Sequence, residues 1–255
     1  MGLDAGKMKM LFDCHINIPR DTENTQEYCA QAKQQGLAGC CLIHPFSLSE
    51  QPLFKKPVNS AKAYADIQLL TGLEIEFSQE THASMAMLTA GLSPDYVINS
   101  VHSVNGKSLR AMEYYTHQSR SEAYSNYLEC VFDSLDAAFE YSVLGHITYV
   151  SKYAYYPSPS LEWREFPDIL DNILMRAVFM GKGLELTWGA KTLMPSLSVL
   201  KRYRELGGEL ITLGSGAQAP EQVGTHLQEL RDAAVNCGFQ YYAVFKQMHP
   251  QMYPL

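Results

Sequence analysis

The sequence predicts an α/β fold in which parallel strands close, or nearly close, into a barrel. Seven apolar runs of strand length each precede a helical pattern or a long loop, which is the order of β/α units. Several of these runs end at a histidine or a carboxylate, and the carboxyl ends of such strands meet on one face. The 255 residues contain no internal repeat, linker or low-complexity tract, so we expect one domain over residues 1–255.

Composition and charge exclude several classes of function. The chain is 46% hydrophobic and 18% charged, with a formal net charge of -7, so it offers little attraction to nucleic acid or to an anionic membrane. No apolar run approaches the ~20 residues that span a bilayer, and residues 1–9 lack the apolar middle of a signal peptide. The six cysteines have no C-x-x-C spacing and are predicted to be reduced thiols. We therefore expect a cytoplasmic protein that binds neither nucleic acid nor membranes.

The first half of the chain alternates strands and helices. Strands are predicted at residues 8–12, 37–43, 68–73 and 95–101, where short apolar runs are bounded by polar or turn-forming residues. Helices are predicted at 25–35, which Gly36 can end, at 61–67 and at 79–89. The proline-rich segment 46–59 is predicted to be a loop, and such loops often lie over a functional site.

The second half continues this alternation. Strands are predicted at residues 143–146, 183–187 and 210–213, and a last apolar run covers 241–245. The longest helical pattern covers 120–141, and further helices are predicted at 166–180, 195–206 and 221–237. Gly214 and Gly216 fit a tight turn better than a phosphate-binding loop, because the further spaced glycine or lysine of such loops is missing.

A candidate metal site lies at the predicted strand ends. Five residues with metal-binding side chains occupy these ends: His15, His44, Glu74, His102 and His146. Imidazole and carboxylate groups together suit zinc, manganese or iron, and one carboxylate can bridge two ions. The alternative is a set of unrelated polar residues that cap the barrel, and spacing alone supports the two about equally.

Three further residues could contribute to the same face. Glu185 lies in a predicted strand and is a candidate for pointing toward the site, whereas Lys152 and Lys191 follow predicted strand ends by several residues. Either lysine could bind a phosphate as a point charge, although a lysine exposed at the surface is the commoner case.

Seven short motifs follow one another over nearly the whole chain. They are Asp13-x-His15, His44-Pro45, Gly72-Leu73-Glu74, Ser100-Val101-His102, Leu144-Gly145-His146, Leu184-Glu185-Leu186 and Leu213-Gly214-Ser215. In this order they resemble the PHP (polymerase and histidinol phosphatase) family, and within it the PHP-type histidinol-phosphatases. The resemblance implies a distorted (β/α)7 barrel of the TIM-like kind, with up to three metal ions at its C-terminal rim. It also implies hydrolysis of a small phosphorylated substrate, a phosphomonoester, by a metal-bound hydroxide.

The resemblance assigns metal-binding roles to individual residues. It makes His15 a ligand of the first metal and Glu74 a bridge between the first and the second. It makes His102 and His146 the remaining ligands of the second metal, and it places His44 at the third.

The resemblance also concerns the phosphate group of the substrate. Lys152 and Lys191 occupy positions where such phosphatases usually have an arginine. A lysine keeps the positive charge but loses the bidentate geometry of a guanidinium group.

This chain departs from the family pattern at several ligand positions. Asn17 and Gln218 stand where the family has histidines, and Gly216 stands where it has an aspartate. Ile43 and Thr148 stand at positions that are usually acidic. An amide offers only a neutral carbonyl oxygen, and glycine offers no side chain at all. The first metal therefore loses two ligands, and the third keeps a single one.

Only the set of Glu74, His102 and His146 is complete, which predicts about one divalent ion rather than three, with zinc first and manganese or iron as alternatives. Five other side chains could substitute for the lost ligands, although no spacing positions them: Asp13, Cys14, Asp21, Cys41 and Glu76. The sequence thus favours a metal-dependent phosphomonoester hydrolase with a reduced metal site and weak activity. The alternative is a catalytically inactive PHP-fold protein that binds a metal or a small ligand.

Overall fold

The computed structural model describes residues 11–18, 25–47, 67–189 and 192–255. Most of the predicted loop 46–59, most of the predicted helix 61–67, Asp21 and Lys191 lie outside these residues. The described residues form the following strands, in chain order: β1 (Phe12–Asn17), β2 (Gly39–Phe46), β3 (Gln68–Glu76), β4 (Tyr96–Ser100), β5 (Ser103–Val104), β6 (Lys107–Ser108), β7 (Val143–Leu144), β8 (Gly183–Trp188), β9 (Leu193–Met194), β10 (Ile211–Gly214), β11 (Tyr241–Lys246) and β12 (His249–Pro254).

The main sheet is a closed barrel of parallel strands. Its strands follow the order β1-β2-β3-β4-β7-β8-β10, and β9 adds an antiparallel edge to β8. The last strand returns to the first, because Ile16 bridges Ala217 in parallel and the Asn17 amide donates to the Ala217 carbonyl at 2.8 Å. The register of β1 against β2 shifts between Asp13 and Ile16, so the barrel is distorted between these two strands. The predicted distorted, TIM-like (β/α)7 barrel is confirmed.

The barrel strands are buried on both faces. Leu42 and Ile43 are neighbours in β2, with side chains that point to opposite sides of the sheet, yet both are fully buried. The same is true of the consecutive residues Leu70 and Thr71 on β3, which are 4% and 1% exposed. Helices cover the outer face of a parallel sheet, which explains why these strands are continuous apolar runs in the sequence.

The described helices are α1 (Gln26–Gln34), α2 (His82–Thr89), α3 (Met112–Tyr115), α4 (Arg120–Ser134), α5 (Val150–Tyr153), α6 (Pro167–Phe179), α7 (Leu197–Glu205) and α8 (Leu227–Asn236). The longest, α4, begins at a capping box in which the Ser119 side chain accepts from the Glu122 amide. Its buried face includes Tyr124, Leu128 and Val131, which recur at the three- and four-residue spacing seen in the sequence.

Three predicted boundaries are wrong. The first strand begins at Phe12 rather than ending there, so His15 lies within β1. Helix α4 ends at Ser134 rather than at residue 141, because the Ser134 carbonyl accepts from the Asn99 side-chain amide and the chain turns back toward β7. The helix predicted at 221–237 begins only at Leu227, since His226 has a left-handed backbone with φ of 61°.

The final apolar run does not join the barrel. Strands β11 and β12 form an antiparallel hairpin beside the amino-terminal ends of the barrel strands. The Tyr242 hydroxyl accepts from the Phe12 amide at 3.1 Å, and the rings of Tyr96 and Phe245 stack at 5.5 Å. The hairpin therefore closes the end of the barrel opposite the strand carboxyl termini. No helix among the described residues is long and apolar enough to cross a bilayer.

Candidate metal centre

Four residues of the predicted metal site lie together at the carboxyl ends of the barrel strands. His15 and Glu74 lie on β1 and β3, and His102 and His146 follow β4 and β7. The Nε2 atoms of His102 and His146 are 2.8 Å apart, and Glu74 Oε1 is 3.4 Å from the first and 3.5 Å from the second. Three potential ligand atoms therefore converge on one point. Two imidazoles and one carboxylate with an open position are a ligand set that a single zinc ion uses.

His15 adds a further nitrogen on the other side of Glu74. Its Nε2 lies 4.0 Å from Glu74 Oε2. Within the described parts of the chain this buried nitrogen makes no hydrogen bond of normal geometry, and neither does Oδ1 of Asn17. The two side chains are nevertheless close enough for Asn17 to contribute to raising the pKa of His15. Buried polar atoms without partners are costly, so a cation beside them is a physical reason for their placement. The donor set thus fits a metal ion.

Glu185 holds two of these histidines from behind. Its carboxylate lies on β8, is 1% exposed, and accepts from Nδ1 of His15 through Oε1 and from Nδ1 of His146 through Oε2 at 2.8 Å. Potential ligand atoms of these three residues also lie within 4.8 Å of one another, as they would in a second metal site. However, a carboxylate that binds Nδ1 directs Nε2 away from itself, which is how outer carboxylates orient metal-binding histidines. Both Nε2 atoms lie on the side of Glu74.

The backbone around His15 is fixed by another buried carboxylate. Asp13 accepts from the backbone amides of Ser215 at 2.9 Å, His15 at 3.2 Å and Gly224 at 2.9 Å. The approach of β10 to β1 also requires a glycine, because a Cβ on Gly214 would lie 2.5 Å from the His15 Cβ. These contacts join the two strands at the seam of the barrel and so set the position of the His15 ring.

His146 is held in an uncommon backbone conformation. Its φ is 30°, in the left-handed region that residues with a Cβ adopt rarely. Its ring lies almost parallel to that of His102, with centroids 5.1 Å apart. The turn after β7 therefore brings this imidazole into the space between Glu185 and His102.

Burial and charge divide the histidines into two protonation states. Burial lowers the pKa of His102 to about 4, so this ring is neutral near pH 7. Burial also acts against the charged form of His15, but the Glu185 carboxylate outweighs it and raises the pKa of His15 to about 9. Burial would raise the pKa of Glu74 and Glu185, yet the neighbouring histidines hold the pKa of each carboxyl below its usual value. Near neutral pH the cluster therefore contains two buried carboxylates, a protonated His15 and a neutral His102.

The other predicted site residues either do not belong to these ligand groups or lie outside the described residues. His44 is buried on β2, where burial lowers its pKa, but it belongs to neither metal-binding group found among the described residues. Lys152 lies on α5, with Nζ 5.6 Å from the centre of the Tyr149 ring. Gln218 is exposed, and Gly216 has a φ of 66°, so the loop after β10 presents no carboxylate or imidazole at these two positions. The roles of His44 and Lys152 remain predictions.

Four of the five residues considered as substitutes for lost ligands are described by the structure, and these four do not join the ligand groups. Asp13 directs both carboxylate oxygens at backbone amides. The Cys14 thiol lies 3.9 Å from the Ala243 carbonyl, and Cys41 is fully buried, with its pKa raised by burial. Glu76 lies beside the site, where it accepts from the Ser103 hydroxyl.

A pocket of about 570 Å³ opens directly onto Glu74 and His102. Its lining also includes Glu76 and Arg110, together with several serines. Sequence reasoning missed Arg110, because it lies in a loop between β6 and α3 and belongs to no motif. Only the path of that loop places it beside the histidines.

Comparison with known proteins identifies the family. The PHP domain model matches residues 15–187, which is more than half of the chain. The chain belongs to the PHP domain family. The matched region includes every residue of the cluster described above, so the resemblance seen in the sequence motifs is confirmed.

Relatives of this PHP protein are similar over nearly its full length. It is 27% identical over 246 residues to a probable histidinol-phosphatase of Clostridium acetobutylicum, covering 91% of this chain and 95% of the relative. It is 24% identical over 256 residues to the histidinol-phosphatase of Lactococcus lactis, covering 94% and 95% of the two chains. A crystal structure of histidinol phosphate phosphatase from Lactococcus lactis, complexed with zinc, L-histidinol and phosphate, superposes with a TM-score of 0.83. That match covers 95% of this chain and 99% of the other at 22% sequence identity, and it establishes the shared fold.

Proposed function

We propose that this PHP protein is a metal-dependent phosphomonoester hydrolase that binds one zinc ion tightly through Glu74, His102 and His146. The observation that carries the proposal is the convergence of one carboxylate oxygen and two imidazole nitrogens within 3.5 Å of one another. When bound, the ion supplies a Lewis acid for a phosphoryl oxygen and lowers the pKa of water. His102 is neutral near pH 7 and so needs to lose no proton before it binds the ion.

The protein's own residues then have separate tasks. Glu185 orients His146 and His15 by accepting from their Nδ1 atoms, and it compensates positive charge behind the ligands. His15, Asn17 and Oε2 of Glu74 form a second, weaker group, because the asparagine contributes only a neutral oxygen. We therefore expect about one tightly bound ion per chain and weak turnover, since several ions together stabilise a phosphoryl transition state better than one.

Histidinol phosphate is the first substrate to test. The relatives that cover nearly the whole chain are named histidinol-phosphatases, and a solved structure with the same fold is complexed with L-histidinol and phosphate. The pocket beside Glu74 has a volume of about 570 Å³, which suits a small phosphomonoester. The carboxylate of Glu76 in its lining could bind the ammonium group of such a substrate.

The test combines metal analysis with a phosphatase assay. Protein purified without added metal is analysed for bound elements, then assayed with histidinol phosphate and with an unrelated phosphomonoester. We expect about one zinc per chain and slow phosphate release. Three tightly bound ions, or brisk hydrolysis that is indifferent to Glu74→Gln, would contradict the proposal.

A specific observation favours the second candidate, a PHP-fold protein that binds a metal or ligand without turnover. The loop after β10 carries Gly216 and Gln218 where the family resemblance leads one to expect two ligands, and Gln218 is exposed. The zinc-loaded protein distinguishes the two candidates: the absence of phosphate release from any phosphomonoester, with zinc still tightly bound, identifies the binding protein.

A further inference from the structure

We propose that Arg110 binds the phosphoryl group of the substrate and that Tyr149 positions it against the metal ligands. This inference rests on the proposed function, because it assigns a substrate-binding residue to the same site. Arg110 lines the pocket that opens onto Glu74 and His102. It lies in the segment between β6 and α3, outside the residues that the family resemblance assigns to substrate.

One aromatic side chain, Tyr149, contacts both the guanidinium of Arg110 and the histidine cluster. The Nε of Arg110 donates to the Tyr149 hydroxyl at 3.0 Å. The Tyr149 ring lies against both metal-site imidazoles, with centroids 4.6 Å from His102 and 5.0 Å from His146. Tyr149 therefore fixes the distance between the cation and the proposed zinc ligands, and a group that touches the ion lies within reach of the guanidinium.

The charge of Arg110 is not neutralised by a nearby carboxylate. Arg120 and Arg202 pair with Glu165 and Asp171 at 2.8 Å and 2.6 Å, whereas no carboxylate of the described residues lies within 4.0 Å of Arg110. Within the same residues its two terminal nitrogens make no hydrogen bond, which leaves the planar fork of donors for a ligand. That fork matches two oxygens of a phosphate group, and phosphate is the part of the substrate that must lie at the metal.

The electrostatics of the site agree with this placement. Burial is the largest influence on the pKa of His102 and lowers it. The positive charge of Arg110 also lowers this pKa, to a smaller extent. The hydrogen bond that Arg110 donates to Tyr149 is the largest cause of its raised pKa, and the charge of Glu74 also contributes. The cation and the proposed metal ligands are thus close enough to interact, but the carboxylate does not hold the guanidinium directly.

Lys152 is the competing cation. Its Nζ lies over the rings of Tyr149 and Tyr153, 5.6 Å and 5.4 Å from their centres, and it does not line the pocket. We therefore expect Arg110 to provide most of the phosphate affinity, and Lys152 to provide less through long-range charge.

The experiment measures binding of inorganic phosphate to the zinc-loaded full chain by titration calorimetry. Arg110→Gln should weaken phosphate binding roughly 10- to 100-fold, the range for losing charge-assisted hydrogen bonds, with zinc content unchanged. Arg110→Lys should recover part of the affinity, and Tyr149→Phe should weaken binding by about two- to tenfold. Arg164→Gln, which changes an exposed arginine outside the pocket, is the matched control and should leave affinity unchanged.

A steady-state assay separates substrate binding from a structural effect. For a phosphomonoester, Arg110→Gln should raise KM more than it lowers kcat, and added guanidinium ion should restore part of the activity. The inference would be overturned if Arg110→Gln left phosphate affinity unchanged. It would also be overturned if Lys152→Gln alone abolished the affinity. If the wild type binds phosphate through Arg110 but hydrolyses no ester, the hydrolase proposal fails and this inference stands. If the wild type hydrolyses esters without dependence on Arg110, this inference fails and the hydrolase proposal stands.

Discussion

Replacing Glu185 by glutamine tests whether this carboxylate orients the proposed zinc ligands. Glu185 is 1% exposed and binds Nδ1 of both His15 and His146. A glutamine has one carbonyl oxygen and one amide group, so it can accept from only one of the two rings. The other ring must then present an unprotonated Nδ1, which moves its proton to Nε2 and toward the metal. Zinc affinity should therefore fall about 10- to 100-fold, or roughly 1.4 to 2.8 kcal/mol, while the number of bound ions stays the same.

The assay is competition for zinc with a chromophoric chelator, followed over a range of protein concentrations. Glu165→Gln is the matched control, because Glu165 pairs with Arg120 at 2.8 Å outside the metal cluster. Thermal unfolding of the metal-free proteins shows whether Glu185→Gln still folds, and Glu185→Asp provides a variant that keeps the charge. The reasoning is refuted if zinc affinity does not change. Loss of the single bound ion in both Glu185→Gln and Glu185→Asp would instead make Glu185 a direct ligand.

Four further predictions concern the metal, pH, stoichiometry and stability. Glu74→Gln should weaken zinc binding by more than about 100-fold and abolish hydrolysis, as measured by elemental analysis and phosphate release, since the ion loses its anionic ligand. The pKa of His15 is raised from 6.5 to about 9, so the stability that its charged pair gives the metal-free protein is complete below pH 6.5. That stability, on the order of 3 kcal/mol, should be lost as pH rises through 9, which chemical denaturation at several pH values would detect. Asn17→His should add a second zinc ion, counted by titration, and a stoichiometry that stays at one would count against the weak second group. Ser119→Ala should lower the free energy of unfolding by about 1 kcal/mol through loss of the α4 capping box, and an unchanged denaturation midpoint would argue against that role.

Much of the barrel could be predicted from the sequence because its strands are buried on both faces. Burial on both faces produces short continuous apolar runs, and these locate strands well even when their boundaries are displaced. The boundary errors have tertiary causes. Helix α4 ends where the Ser134 carbonyl accepts from Asn99, a residue 35 positions earlier in the chain. No local pattern near residue 134 contains that information.

In the candidate site, too, some residues could be predicted from local sequence and others only from tertiary contacts. Residues that share strand ends with a motif, such as Glu74, His102 and His146, could be identified from the sequence together with the family resemblance. The role of Glu185 depends on a hydrogen bond to His15 across 170 positions of sequence, and that of Arg110 on a contact with Tyr149 in a different loop. Residues that act by holding or complementing a ligand set need no fixed spacing from it.

The restoration of lost ligands illustrates how the two kinds of information combine. From the sequence, Asn17→His, Gly216→Asp and Gln218→His together should raise metal occupancy and turnover. In the structure, the three positions are not equivalent. Asn17 already lies beside His15 with a buried oxygen, whereas a Cβ on Gly216 would lie 3.2 Å from the Thr187 hydroxyl on a left-handed backbone. Asn17→His should therefore account for most of the gain, and adding Gly216→Asp should cost stability unless the loop after β10 rearranges.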